Sequence, residues 1–172
     1  MKEAGQITPA DSHEPHNQKP QASLPRCGRV RRSPINNMSI SPWETFAKQD
    51  SPNGQYVAVF DDAMEIAMGA PMRGTLTVRQ KGQNNSLIEL PDANGSFVWS
   101  SDSTAIAFPR WTVKRDQRLC VLRLPSRLTE EIAGRFDVLQ LESLCDGLLV
   151  GIDSPIYRPK KIEIQIPQPT RR

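Results

Sequence analysis

From Ser41 onward, apolar residues come in short runs of four to eight, rich in β-branched and aromatic side chains and separated by turn chemistry. The pattern predicts strands at Gln55–Asp61, Gly74–Gln80, Ser86–Leu90, Ser96–Ser100, Thr104–Phe108, Gln117–Leu124, Phe136–Leu141, Leu148–Ile152 and Lys160–Ile166. Between them stand Ser51-Pro52-Asn53-Gly54, Asp92-Ala93-Asn94-Gly95, Ser101-Asp102-Ser103 and Cys145-Asp146-Gly147. Asn, Asp and Gly tolerate the left-handed backbone that tight hairpins need. The expected fold is therefore all-β.

The runs repeat. Leu76-Thr77-Val78, Leu119-Cys120-Val121 and Ile162-Glu163-Ile164 are spaced by 43 residues each time. Upstream, Ser51-Pro52-Asn53-Gly54-Gln55-Tyr56-Val57-Ala58-Val59 parallels Ser100-Ser101-Asp102-Ser103-Thr104-Ala105-Ile106-Ala107-Phe108, and Asp146-Gly147-Leu148-Leu149-Val150 is a worn third copy. One stretch, Asp62–Arg73, lengthens the first interval. It holds three of the five methionines, and the four-residue step from Met64 to Met68 predicts one helical turn ended by Gly69.

Trp99-Ser100-Ser101-Asp102-Ser103-Thr104-Ala105-Ile106-Ala107-Phe108 resembles the Trp-Ser-Pro-Asp-Gly repeat signature of TolB-like and WD-type β-propellers, and Ser51–Ala58 is similar. The resemblance spans residues 43–166 and implies antiparallel meander sheets in blade-like repeats of about 43 residues. Two and a half to three repeats are present, while closed propellers have four or more blades. An incomplete or open propeller-like stack is thus expected, or a homo-oligomer that completes a ring. The segment is also similar to small bacterial proteins opening with Pro-Trp-Glu-Thr-Phe and then Ser-Pro-Asn-Gly, a likeness that implies no particular activity.

Composition divides the chain. Residues 1–42 hold six of the fifteen prolines and almost no apolar clusters, which predicts a disordered, basic tail. That tail carries a net charge of +3 and the remainder a net charge of zero, so the basic balance gives no reason to expect a nucleic-acid partner. Its one basic cluster, Arg26–Arg32, reads as a solvated linker, and Met38 offers an alternative start. Residues 43–166 form the expected β domain and 167–172 a C-terminal tail. No apolar run reaches the roughly 18 residues that cross a bilayer. Three cysteines without a close pair suggest a reducing, cytoplasmic setting.

Candidate chemistry is sparse. Both histidines, His13 and His16, fall in the tail, leaving residues 43–166 without a histidine for a Ser-His or Cys-His site or for most zinc sites. No phosphate-cradling glycine loop is present, and no cofactor or metal is expected. Asp61, Asp62 and Glu65 could serve as acid and base in a hydrolase, though acidic residues where a strand ends are commonly only solvated. Asp102 and Asp146 are expected to cap turns, and Cys120 to fill the core. For protein recognition, the candidates are Asp61, Asp62, Met64, Glu65, Met68, Met72 and Arg73 in the insertion, with Arg110 and Trp111 in the loop after Phe108. Trp111 reads equally as a rim residue covering the core. The function that fits best is a non-enzymatic protein-binding domain, with an immunity-type protein as a narrower version. A carboxylate hydrolase or a propeller-completing subunit is the alternative.

Overall fold

The computed structural model describes residues 39–167. Eleven strands follow in chain order: β1 (Ala47–Asp50), β2 (Tyr56–Glu65), β3 (Met72–Gln80), β4 (Ser86–Ala93), β5 (Val98–Trp99), β6 (Ala105–Trp111), β7 (Gln117–Arg123), β8 (Leu128–Phe136), β9 (Leu139–Cys145), β10 (Leu148–Asp153) and β11 (Lys160–Gln165). All named strand pairs are antiparallel between sequence neighbours, apart from one contact between β4 and β6. The strands group into a first blade (β1–β4), a second (β5–β8) and a third of three strands (β9–β11). Blades one and two join through the single pair Ala93–Arg110 and the bond from Asn94 N–H to the Pro109 carbonyl, 2.9 Å.

Period-two alternation explains the stacking. On β6 and β7, Ile106, Phe108, Cys120 and Leu122 face the first blade, where they meet Ala58, Phe60, Leu76 and Val78. Their alternates, Ala105, Ala107, Leu119 and Val121, face the third blade and meet Leu139, Leu141, Leu149 and Ile162. The second blade is buried on both faces, so its central strands read as nearly continuous apolar runs. The outward faces of the end blades differ. There the second strands keep Val57 and Val59 or Val150 and Ile152, but the third strands carry Thr75, Thr77 and Arg79 or Lys161, Glu163 and Gln165. The polar third strands limit the apolar area that these two outer faces show to water.

The repeat is visible in hydrogen bonds. Ser51 Oγ donates to Asn53 Oδ1 (2.8 Å) and accepts from Tyr56 N–H (3.0 Å); forty-nine residues on, Ser100 Oγ donates to Asp102 Oδ1 (2.6 Å) and accepts from Ala105 N–H (2.9 Å). The two turns are stitched together, Asn53 N–H donating to Ser103 Oγ at 2.9 Å. The third copy is a two-residue hairpin, with Asp146 (φ 50°) and Gly147 (φ 80°) in the left-handed region. The 43-residue spacing also changes meaning here. Leu76, Leu119 and Ile162 all lie on the third strand of their blade, yet Leu76 and Leu119 face the following blade and Ile162 faces the preceding one. A shift of one residue reverses every side chain of a strand, so the third copy is out of phase.

Several sequence expectations change. β6 continues to Trp111, so Arg110 and Trp111 stand in a strand and not in a loop after Phe108, and β1 and most of β8 are additional strands. The insertion forms no helical turn: β2 runs on to Glu65 and β3 begins at Met72, so Met64 is in a strand and Met68 is in the hairpin loop. The pairs Asp61–Thr75 and Met64–Arg73 enclose a bulge opposite Gly74. A Cβ at Gly74 would stand 2.5 Å from the Asp61 carbonyl oxygen and 2.8 Å from the Phe60 ring, so only glycine fits. The strand expected at Phe136–Leu141 is divided between β8 and β9. The tail's expected disorder and the start at Met38 concern residues outside those described. Of the tail, Ser39–Pro42 are described and engaged: Ser39 Oγ donates to the Leu141 carbonyl (2.8 Å), and Pro42 accepts from Met72 N–H (3.0 Å).

Candidate functional site

Because each hairpin reverses the chain, the loops β2–β3, β6–β7 and β10–β11 emerge from one end of the stack. The segments that enter β1, β5 and β9 lie there too. The turns 51–55, 81–85, 100–104, 124–127 and 146–147 occupy the other end. Apolar exposure is unequal between the two. Among the described residues, eight large hydrophobic side chains are exposed, and six belong to the hairpin end: Met68 and Val113 (100 % each), Tyr157 (87 %), Met64 (63 %), Ile156 (60 %) and Phe46 (59 %). Scattered exposed hydrophobics are ordinary; here each blade carries at least one at the same end.

The scaffold beneath these tips is firm. Trp111 is buried and its Nε1–H donates to the Met72 carbonyl at 2.9 Å, joining the bases of the first two hairpins. Trp43 Nε1–H donates to the Gly69 carbonyl at 3.0 Å, and Gly69, at φ +72°, closes the turn that returns Ala70 N–H to the Ala67 carbonyl (2.9 Å). Thr112 Oγ1 hydrogen-bonds Asp116 in the second hairpin, where Arg135 also pairs with Asp116. The Thr112 hydroxyl is the main cause that holds the Asp116 carboxyl below its ordinary value, against its burial. Trp111→Phe keeps the ring and loses the donor. It is expected to cost about 1 kcal/mol in chemical denaturation and to speed amide exchange in residues 64–72; unchanged exchange there would contradict this anchoring.

The residues singled out from sequence are therefore spread over a tip and its supports. Met64, Glu65, Met68 and Asp62 are exposed, Asp62 at φ 54° in the bulge. Asp61 is half-buried on the outer face of the first blade. Met72 packs against the core, Arg73 pairs with Asp92, and Arg110 pairs with Glu131 at 3.5 Å. Trp111, one of whose two readings was an exposed anchor, is buried, because it closes the gap between the first two blades. Asp61, Asp62 and Glu65 line neither the cleft beside Ser100, Arg123 and Asp146 nor that beside Lys48, Val59 and Arg79, and among the described residues no three His, Cys, Asp or Glu side chains could hold a metal ion. Ile156, Tyr157 and Phe46 were missed. Their signal is bulky apolar residues in segments that the strand pattern leaves outside strands.

At the opposite end a cleft of about 330 Å³ lies between the turns of blades two and three, lined by Ser100, Asp102, Arg123 and Asp146 among others. Its polar groups are largely spent on the fold: Asp102 accepts from Ser100 Oγ and from Thr104 N–H and Oγ1, and Arg123 donates to the Pro167 carbonyl. Burial raises the Asp102 carboxyl pKa, but these donors outweigh it and hold it below the ordinary value of 3.8. A carboxyl depressed in the folded state stabilises above its ordinary value and loses that contribution as pH falls through the folded value. Asp102→Asn should accordingly flatten the fall of Tm below about pH 4; an identical acid limb in the variant would contradict it. Cys120 is a free thiol whose pKa burial pushes up, and Cys145 is not a free thiol.

Among solved structures the chain is similar to TolB from Acinetobacter baumannii, with a TM-score of 0.50 and 8 % identity over 70 % of this chain and 30 % of that one. It is also similar to the β-propeller domain of the Trilobed protease from Pyrococcus furiosus, with a TM-score of 0.47 and 15 % identity over 70 % of this chain and 43 % of that one. This chain spans less than half the length of either. No family model and no curated protein matches, so the likeness to small bacterial proteins gains no support. The fold is that of an incomplete β-propeller. Within it, among the described residues, no helix is long and apolar enough to cross a membrane.

Proposed function

We propose that this chain is a non-enzymatic protein-binding module whose partner lies across the hairpin end of the blade stack. The observation that supports this is the gathering of six of the eight exposed large hydrophobic side chains at that end, with a tip on every blade. The turns opposite are mostly polar, with Leu128 and Leu148 the two exposed large hydrophobics beside them. Rigid β-scaffolds with adaptable loop residues are suited to recognition, and methionine tips conform to uneven surfaces. An immunity-type role is a narrower form of this reading, tested by complex formation with a cognate toxin.

The decisive experiment is reconstitution with a purified partner. Met68→Ser, Val113→Ser and Tyr157→Ser combined should weaken the complex at least about a hundredfold, since buried interface anchors contribute about 2 kcal/mol or more each. The Tm should stay within about 2 °C, these side chains being exposed. Asn53→Ala with Asp146→Ala, at the opposite end, should leave affinity unchanged. Full binding by the triple variant would refute the reading.

A further inference from the structure

The hairpin end is electrically divided. The first-blade hairpin carries Asp62 and Glu65 beside Met64 and Met68, and neither carboxylate has a hydrogen bond or ion pair among the described residues. The neighbouring second-blade tip carries Lys114 and Arg115 beside Val113, and the third adds Arg158 beside Ile156 and Tyr157. Among the described residues these three cations also lack ion pairs, whereas Asp116 and Asp153 are engaged. Asp116 is held by Arg135 and Thr112, and Asp153 accepts from Asp137 and Val138 N–H. The bond from Trp111 to Met72 holds the bases of the first two hairpins together, and no ion pair joins their tips among the described residues.

An end with an acidic, apolar tip next to a basic, apolar tip is complementary to itself turned through 180°. We infer that the hairpin end pairs with the same end of a second copy of this chain, about a two-fold axis between blades one and two. Asp62 and Glu65 of each copy then meet Lys114 and Arg115 of the other, with Met64, Met68 and Val113 enclosed between. Isologous contacts of this kind close after two subunits, so the product is a dimer rather than a fibre. The inference deepens the proposed function: it names a second copy as an occupant of the surface proposed there, one that another partner must displace.

The protein is its own probe. Light scattering on the full chain at up to about 200 µM should show a monomer–dimer equilibrium that weakens at least about tenfold between low and high salt. Asp62→Lys with Glu65→Lys should be monomeric alone, and Lys114→Glu with Arg115→Glu likewise, each staying folded with a Tm within about 5 °C of the wild type. Mixed in equal amounts, the two variants should form a heterodimer, since every contact is again between opposite charges. A strict monomer at the highest concentration would overturn the self-pairing and assign the end to a different partner, leaving the protein-binding reading intact. A dimer indifferent to both charge reversals, or a mixture that stays monomeric when each parent is monomeric, would also overturn it.

Discussion

Phe108→Ala is expected to remove about 3–5 kcal/mol of stability, much of what a domain of this size has. Phe108 is fully buried and stands mid-strand on β6, in the one blade covered on both faces. Its ring packs into the cluster shared with Phe60, Leu76 and Cys120, and a truncated side chain leaves a cavity that blades pinned by strand pairing cannot collapse to fill. Leu128→Ala, exposed at the start of β8, is the matched control and should change stability by no more than about 0.5 kcal/mol. Urea unfolding of the two variants measures the difference. A Phe108→Ala loss under about 1 kcal/mol would mean that the first two blades do not share a packed interface.

Gln117→Leu is expected to cost about 1–3 kcal/mol, although it places an apolar side chain in an apolar setting. Gln117 is fully buried on β7, and its Oε1 accepts from Leu139 N–H at 2.7 Å. Ser96 Oγ does the same for Leu141 N–H at 2.8 Å. β9 pairs with β10 along one edge; on the other only Leu144 meets backbone, at Ser100–Ser101, so two polar side chains from the second blade satisfy the amides of Leu139 and Leu141. Removing the Gln117 carbonyl leaves Leu139 N–H buried without an acceptor, and that desolvation cost exceeds any gain from removing the amide nitrogen. A fully neutral Gln117→Leu would show that blade three is held by apolar contact alone.

Much of this fold was legible because its signals are local. Alternation located the central strands, and the Ser-Pro-Asn-Gly and Ser-Ser-Asp-Ser turns marked the first two blades through side-chain bonds that only those residue types can make. What was missed lay where another demand overrides alternation. β8 is an edge strand whose Glu130 and Glu131 pair with Arg123, Arg110 and Arg118, so it reads as a charged loop. The Met64–Met68 spacing fits a helix as well as it fits the end of a bulged strand passing into a hairpin, and Gly74, which permits the bulge, lies ten residues away. Half of the candidate surface was visible in the methionines of the first hairpin. The other half depends on topology: nothing local in Val113 or in Ile156-Tyr157 says that they share an end with Met68.

The measurement that tests the whole account most directly is hydrogen exchange of the chain free and bound to its protein partner. Protection is expected in residues 64–72, 112–115 and 154–159, with the turns at 51–55, 100–104 and 146–147 unchanged. Protection confined to those turns, with the three hairpin tips exchanging as in the free chain, would contradict the claim that the hairpin end of this three-bladed stack is its binding surface.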